Sequence, residues 1–275
     1  MQGASRESLA GVRAQFAETI SAVGSGSADR AALAADLRAV ADLLGREPGL
    51  RRALADSSKP TENRTGLLEA LVGSRIGAGA LDVLKSAVSA RWNSAHDLVN
   101  TAELLSVDAE LADAADRDAL SDVEDQLFRF GRIVEGTPRL SRLLSDSSAP
   151  VAQRTELATG LLEGHQADPV TVRLVGAAVH GLGGRSFDGS LQRLIELTAA
   201  RRDREIAYVV AAAPLSPAQE ERLAARLAAI YGRTVSLKVE VDPSLLGGVT
   251  VRVGDDLYDG SVARRLEQAR GALTN

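Results

Sequence analysis

The residues that could bind a metal ion or move a proton are three histidines, and they are widely separated. His96, His165 and His180 each lack a second histidine or an acid at the spacing that metal ligands require. Asp97 follows His96 directly, but neighbouring residues on a helix point in different directions. The sequence therefore predicts no metal site and no histidine base.

The other candidates for chemistry are a pair of aspartates and several glycine-rich turns. Asp255 and Asp256 fall in a predicted turn between strands, whereas a glycosidase needs two acids across a cleft. Segments 24–26 and 181–184 lack the spacing of a nucleotide-binding loop and a preceding strand, so we interpret them as helix ends. With no cysteine and no GxSxG motif, we expect no catalytic residue and no cofactor.

Composition and charge argue against two further classes of protein. The 275-residue chain has a net charge of −5 and no basic patch, which argues against nucleic-acid binding. Its longest apolar run, about nine residues from Ala207 to Leu215, is too short to cross a bilayer. Arg6, Glu7 and Arg13 interrupt any signal peptide. We therefore expect a cytoplasmic protein that meets a membrane only through a partner.

The N-terminal part of the chain has the period of amphipathic helices. Its apolar residues are mostly Ala, Leu and Val, which suit closely packed helices. Two predicted helices, near 5–23 and 79–92, carry apolar stripes, formed by Leu9, Val12, Phe16 and Ile20 and by Leu81, Leu84 and Val88. A docked helix uses the same spacing as a core helix, so the sequence leaves open whether the first stripe is core or a docking groove.

A segment of the chain recurs 90 residues later. Residues 48–65 read PGLRRALADSSKPTENRT and residues 138–155 read PRLSRLLSDSSAPVAQRT, with ten identities at this offset. Both copies contain Asp-Ser-Ser shortly before Pro, beginning at Asp56 and Asp146, and we interpret this motif as turn chemistry. The recurrence predicts that a helical unit has been duplicated.

After about residue 205 the period changes to that of strands. Val235 to Val241 alternate apolar with polar residues, and Gly247-Gly248 is followed by a second alternating run. The predicted fold is mainly α, with duplicated helical-bundle units followed by a small C-terminal α+β domain of order β-α-β-β-α. We expect an N-terminal bundle at 1–115, a second helical unit at 116–204 and the α+β domain at 205–275.

Three pieces of the chain resemble the δ subunit of F-type ATP synthases, called the oligomycin-sensitivity-conferring protein in mitochondria. Residues 242–262, DPSLLGGVTVRVGDDLYDGSV, resemble its C-terminal signature. Residues 209–216 are similar to its strand-to-helix entry, and the N-terminal helices with segment 48–60 to its six-helix pattern. The duplication explains why the chain is longer than an ordinary member, and the Ala/Arg-rich composition is consistent with the elongated form of actinobacteria.

The resemblance implies a non-catalytic stator subunit of a proton-translocating F-type ATP synthase, on the cytoplasmic face of the cell membrane. It implies that the helical bundle binds N-terminal helices of the α subunits, and that the C-terminal domain binds the b subunits of the peripheral stalk. In this family the α-subunit groove lies between the first and fifth helices, which by position suggests Leu9, Val12, Phe16 and Ile20, facing Leu81, Leu84 and Val88. Either copy of the repeat could cap the catalytic head.

Two other functions remain compatible with the residues themselves. The first is a soluble helical-repeat adaptor that binds amphipathic helices of another complex. The second is an enzyme whose site assembles only in three dimensions. Co-purification with a rotary ATPase would favour the stator over the adaptor, and a deep polar cleft with perturbed titratable groups would favour the enzyme.

Overall fold

A computed structural model describes residues 3–23, 26–231, 235–242, 245, 247–253 and 256–259. In these ranges the chain has twelve α-helices, a 3-10 turn and four strands. The first six helices are α1 (Ala4–Val23), α2 (Ser27–Arg46), α3 (Pro48–Ala55), α4 (Thr61–Val72), α5 (Ala78–Ser89) and α6 (Ala95–Asp116). The next six are α7 (Leu120–Gly136), α8 (Pro138–Ser145), α9 (Val151–Glu163), α10 (Pro169–His180), α11 (Phe187–Glu205) and α12 (Pro217–Tyr231), with the 3-10 turn at Leu182–Gly184.

The strands are β1 (Ile206–Ala211), β2 (Ser236–Val241), β3 (Val249–Val253) and β4 (Asp256–Asp259). They follow the helical region, so the predicted fold class of helical units followed by a small α+β domain is confirmed. Contacts between Cα atoms divide the chain into two compact units, Met1–Glu196 and Leu197–Asn275. The division at residues 115 and 204 stays a prediction.

The duplication is visible helix by helix. α3 and α8 have the same length and begin 90 residues apart, each with a proline in its first turn. α4 and α9 are related by the same offset, and α5 and α10 by 91 residues. Neither α3 nor α8 was predicted, because eight residues give too little periodicity to reveal a helix.

Each short helix ends at an Asp-Ser-Ser turn with the same hydrogen bonds. Asp56 Oδ1 accepts from the backbone N–H and the hydroxyl of Ser58, at 3.1 and 2.6 Å. Asp146 Oδ1 accepts from Ser148 in the same way, at 2.9 and 2.6 Å. The motif is therefore structural in both copies, as the sequence predicted.

One long helix, α6, belongs to both copies of the repeat. It packs against α1, α2, α3 and α5 on one side, and against α7, α10 and the 182–184 turn on the other. Most of its residues are buried, including the acids Glu110 and Asp113. We call α1–α6 the first bundle, and α6–α10 together with α11 as far as Glu196 the second bundle. α6 is thus the last helix of the first bundle and the first helix of the second.

The equivalence of α6 to α1 is also visible in its burial pattern. On α1, Leu9 and Ile20 are half-buried on either side of the buried Val12 and Phe16. Ninety-five residues later the same alternation of half-buried and buried positions recurs on α6 at Leu104, Val107, Leu111 and Ala115. The opposing stripe of α5 is matched on α10 by Val172, Val175 and Val179. In the second bundle α6 packs on α10 as α1 packs on α5 in the first.

The C-terminal unit contains one mixed sheet with strand order β2-β1-β3-β4. β1 pairs in parallel with β2, and the other neighbouring strands are antiparallel. α12 connects β1 to β2, and Leu227 packs against Val209 and Val251 on one face of the sheet. Gly247 and Gly248 have φ values of 136° and 87°, which explains the glycine pair before β3. The predicted final helix, with Val262, Leu266, Ala269 and Leu273, lies outside the described residues.

Candidate docking surfaces

The two apolar stripes predicted to bind a partner lie on helices that pack against each other in the first bundle. Val12 and Phe16 of α1 are 2% and 5% exposed, and Leu84 and Val88 of α5 are each 1% exposed. These four side chains are part of the core, so a partner would reach them only if the bundle opened. The members of the stripes that remain half-buried at the surface are Leu9, Ile20 and Leu81.

We call the contact between α1 and α5 the first seam. Beside it, α1 presents a face of small side chains. Ala10, Ala14 and Ala17 are exposed and follow helical spacing. At the edge of this face, the guanidinium of Arg13 forms a 3.1 Å ion pair with Asp108 of α6. The sequence alone does not distinguish these alanines, because an exposed alanine is common on a helix and periodicity does not reveal its neighbours.

The equivalent face of α6 is covered by another helix. The residues 95 positions later in the chain are Leu105, Ala109 and Ala112, and all three are buried. They correspond to Ala10, Ala14 and Ala17 on α1. Leu105 and Ala109 belong to the core cluster that α2 shares, and α2 lies along α6. A face that is exposed on the first helix of the first bundle is therefore covered in the second bundle by α2.

The contact between α6 and α10 is equivalent to the one between α1 and α5, and we call it the second seam. A cluster of charged side chains joins α2, α6 and α10 at its rim. Arg173 of α10 donates from Nε to both carboxylate oxygens of Glu110 on α6, at 2.9 and 2.8 Å. Its Nη2 donates to Asp113 at 3.2 Å. At the end of α10, His180 Nδ1 lies 3.5 Å from Asp42 of α2. The second seam is therefore bordered by fixed charges and by α2.

Burial shifts several pKa values in and around this cluster. Burial raises the pKa of Glu110 to about 7, although Arg173 opposes the shift. Burial also raises the pKa of Glu103, against a hydrogen bond donated by the Gly183 N–H. Burial lowers the pKa of Arg38, which lies near both glutamates and has two guanidinium nitrogens without a hydrogen-bond partner among the described residues.

A second ion pair anchors the start of α10. Arg117 donates to both carboxylate oxygens of Asp168, at 2.8 and 3.0 Å, and also contacts Asp113. Asp168 accepts from the backbone N–H of Val170, which makes it the N-cap of α10. Burial opposes the charge of Asp168, but the hydrogen bonds from Arg117 and Val170 lower its pKa. Arg117 and Asp168 therefore form a charge pair that positions the start of α10.

No group of three or more potential metal ligands occurs in the part of the chain that the structure describes, and His96 and His165 are exposed. A cavity of about 610 Å³ is lined by Glu7, Ser8, Ser57, Arg91 and Trp92 together with Ala4 and Asn93. It contains no histidine. None of the described helices is long and apolar enough to span a membrane.

In the described part of the C-terminal sheet, one face carries exposed and half-buried side chains. Tyr208 lies at the centre of that face, between Lys238 of β2 and Arg252 of β3. The Lys238 Nζ lies 5.6 Å, and the Arg252 Cζ 5.3 Å, from the centre of the tyrosine ring. Leu257 of β4 continues the row and is 63% exposed.

Paired helical bundles with internal ion pairs, followed by a small mixed sheet, define a mainly helical protein with a C-terminal α+β unit in the described residues. The family model described as ATP synthase delta (OSCP) subunit matches residues 108–273. The chain belongs to this ATP synthase δ family.

Relatives in actinobacteria match nearly the whole chain. The ATP synthase subunit delta of Salinispora arenicola is 55% identical over 88% of this chain and 88% of its own length. The subunits of the same name from Parafrankia sp. and Streptomyces coelicolor are each 44% identical and cover all of this chain. Among solved structures, a chain of the Toxoplasma gondii mitochondrial ATP synthase hexamer is 20% identical with a TM-score of 0.33. That match covers 62% of this chain and 95% of the other.

The family match begins inside α6. Residue 108 lies in the part of α6 that serves as the first helix of the second bundle, so the match covers the second bundle and the C-terminal unit. Residues 1–107, which contain most of the first bundle, lie outside the match.

Proposed function

We propose that this chain is a non-catalytic stator subunit that links the head of an F-type ATP synthase to its peripheral stalk. Membership of the δ family supports this function. In this proposal the helical unit binds the N-terminal segments of α subunits and the C-terminal unit binds b subunits. The chain is then held at the cytoplasmic face of the membrane through its partners alone.

Within this function, we propose that the first bundle provides the α-subunit groove. This proposal rests on a difference between the two equivalent seams: a helix packs beside the second seam, and none packs on the alanines beside the first in the described residues. α2 lies along α6 beside the second seam, whereas Ala10, Ala14 and Ala17 are exposed beside the first. A partner helix lying on α1 as α2 lies on α6 would bury these alanines and the half-buried Leu9, Ile20 and Leu81. Small side chains allow helices to approach closely.

The test uses the full-length chain and a peptide of the N-terminal residues of the α subunit from the same organism. We expect Ala14→Glu to weaken binding about tenfold or more, because it places a charge in a closely packed apolar interface. Ala39→Glu is the matched control, since Ala39 is an exposed alanine of α2. A Phe16→Asp variant would not test docking, because Phe16 is buried in the core.

Three results are informative. Weaker binding by Ala14→Glu, with binding by Ala39→Glu unchanged, supports the first seam as the α-subunit groove. Equal affinity of wild type and Ala14→Glu would reject this seam as the groove while leaving the stator function intact. No binding of the peptide by wild type, together with failure to co-purify with the ATP synthase, would reject the stator function itself.

A further inference from the structure

Two helices that are equivalent in the repeat carry the same exposed pair of leucines. On α4 the pair is Leu67 and Leu71, which are 38% and 40% exposed. Ninety residues later, on α9, it is Leu157 and Leu161, which are 36% and 40% exposed. The leucines of each pair are four residues apart and therefore lie on one side of their helix.

Packing inside the bundles does not explain why these leucines recur. The buried apolar residues beside them differ between the two copies, since Leu68 corresponds to Ala158 and Val72 to Leu162. The core positions have thus diverged, whereas the exposed leucines are identical. A leucine side chain that stays in contact with water gains little from folding, so the fold alone gives no reason for its recurrence.

The leucines lie in a longer exposed stripe that carries no charge. On each helix an amide side chain precedes the first leucine by four residues, and a small residue comes directly before the second. We call these sets the first stripe, Asn63, Leu67, Ala70 and Leu71 of α4, and the second stripe, Gln153, Leu157, Gly160 and Leu161 of α9. All eight side chains or glycine positions are exposed. An uncharged, partly apolar stripe of this kind suits contact with another helix.

Gly160 leaves space beside the leucines of the second stripe. A Cβ atom added at this position would meet no described atom within 4 Å. Glycine in the middle of a helix lowers stability, and no contact within the described chain requires it here. Its effect is to let the backbone of a second helix approach closely, and Ala70 leaves nearly as much room at the equivalent position of α4.

The exposed charged side chains of these two helices are all glutamates. Glu62 and Glu69 lie on one side of the first stripe, and Glu156 and Glu163 lie on the same side of the second. The members of each pair are seven residues apart. Glu156 and Glu163 are four and three residues from Gly160, so they border the place of closest approach. Both helices therefore favour a partner with basic side chains along one edge.

The acidic edge is partly balanced on α4. Glu69 forms a 3.0 Å ion pair with Lys85 of α5, and Lys59 and Arg75 lie just beyond the two ends of α4. At the position equivalent to Lys59, the second copy has Ala149. The second stripe is therefore the more acidic of the two, and its contact with a basic partner should depend more strongly on salt.

We propose that the two stripes bind two copies of the same amphipathic helix, which has an apolar stripe and Lys or Arg along one edge. Since both sites present the same kinds of side chain, one partner sequence fits both, and the partner is a chain that its assembly contains in at least two copies. That this assembly is an F-type ATP synthase rests on the proposed function, whereas the position and chemistry of the stripes rest on α4 and α9. Two such contacts on one chain reinforce each other, so neither has to be strong alone.

The chain contains no cysteine, so a single introduced cysteine can carry a cross-linker at either stripe. Leu67→Cys and Leu157→Cys are each labelled with a benzophenone maleimide in the full-length chain, assembled into the ATP synthase of the same organism and irradiated. We expect both positions to cross-link to the same segment of the same subunit, and that segment to be a helix with basic residues along one edge. Ala39→Cys, at an exposed position of α2 outside both stripes, is the control and should not cross-link to this segment.

The cross-linked products decide between the possible occupants. Products with two different subunits, with this chain itself, or from only one of the two positions would overturn the proposal, as would the absence of a product from both. Failure of wild type to co-purify with the ATP synthase would instead reject the stator function.

A peptide of the cross-linked segment then tests the second stripe by isothermal titration. We expect Gly160→Gln to bind one peptide fewer than wild type, because the new side chain fills the space beside the leucines. Its melting temperature should not fall, because glutamine favours a helix more than glycine does. Loss of binding therefore cannot be attributed to unfolding, and unchanged binding by Gly160→Gln would contradict docking at this stripe.

The first stripe is tested in the same titration. Leu67→Gln/Leu71→Gln should also bind one peptide fewer than wild type, and circular dichroism checks that it remains folded. The matched control is Leu143→Gln, which changes a leucine of α8 that is 47% exposed but corresponds to Ala53 in the first copy. The control should bind as many peptides as wild type, and an equal loss in the control would overturn the assignment to the stripes.

Discussion

Arg173 of α10 and Glu110 of α6 form the central ion pair of the helical unit, with Arg173 Nε donating to both carboxylate oxygens. The Glu110 side chain is 8% exposed, and the neighbouring Asp113, which also accepts from Arg173, is 2% exposed. One guanidinium therefore contacts two buried acids, and Arg117 also contacts Asp113. Since α6 is shared by both bundles, this pair fixes the second bundle to the helix that completes the first.

Removing the guanidinium should destabilise the chain strongly. We expect Arg173→Ala to lower the free energy of unfolding by about 3–5 kcal/mol at pH 8, because it leaves two buried acids with fewer partners. Urea unfolding followed by the fluorescence of Trp92, the single tryptophan, measures the loss. The control is Arg129→Ala, which removes an exposed pair with Asp125 on α7 and should cost under about 0.5 kcal/mol. Similar losses in the two variants would contradict the structural role of Arg173.

Glu110 should make stability depend on pH near neutrality. Burial raises its folded-state pKa from 4.5 to about 7, so the folded chain holds a proton that the unfolded chain releases. Its contribution to stability is complete below pH 4.5 and is lost as the pH rises through 7. A pKa shift of this size corresponds to a change of about 3 kcal/mol in the free energy of unfolding.

Glu110→Gln is the variant that tests this pH dependence. Glutamine does not titrate, so the stability of wild type relative to Glu110→Gln should fall as the pH is raised from 5 to 8. Unfolding curves at both pH values measure the change, and Glu135→Gln, at an exposed position of α7, is the control. The same difference between wild type and Glu110→Gln at pH 5 and pH 8 would show that Glu110 is charged throughout.

The repeated turns offer a test with an internal control. Hydrogen bonds from the Ser58 hydroxyl and N–H lower the pKa of Asp56, and those from Ser148 lower the pKa of Asp146. We expect Ser58→Ala to raise the pKa of Asp56 toward its ordinary value, because the hydroxyl bond is lost and the backbone bond remains. Carboxyl titration by NMR measures both groups in one sample. A pKa of Asp146 that moved as far as that of Asp56 would contradict the local origin of the shift.

Local sequence signals predicted most elements because they depend on residues that are close in the chain. Ser94 caps α6 and Asp168 caps α10, and each stands directly before an apolar periodic run, where a cap is expected. Gln219 accepts from the Ser216 N–H, which is half of a capping box. Gly45 follows an apolar periodic run and favours a helix end, but α2 continues through it to Arg46. A glycine in a helix is a weak stop signal when packing favours continuation.

The candidate docking surfaces were harder to predict than the helices and strands. Helical periodicity indicates which residues are buried, but it does not indicate which neighbour buries them. Val12, Phe16, Leu84 and Val88 have the spacing of a docking stripe, yet the bundle itself buries them. Ala14 and Tyr208 gave no signal in the sequence, since exposure of an alanine and the pairing of a tyrosine with two cations depend on distant residues. Only the registers of β1, β2 and β3 bring Lys238 and Arg252 to either side of Tyr208.

The sequence by itself determined the helical class, the duplicated segment and the change to strands, because these follow from local periodicity and from identities at a fixed offset. The tertiary structure alone decided that α6 completes one bundle and begins the next. It also decided that α2 covers one of two equivalent seams and leaves the other exposed. The physical reason is that burial of a helix face depends on which distant helices pack there, and a helix buried on nearly all sides has no single apolar stripe to reveal its neighbours.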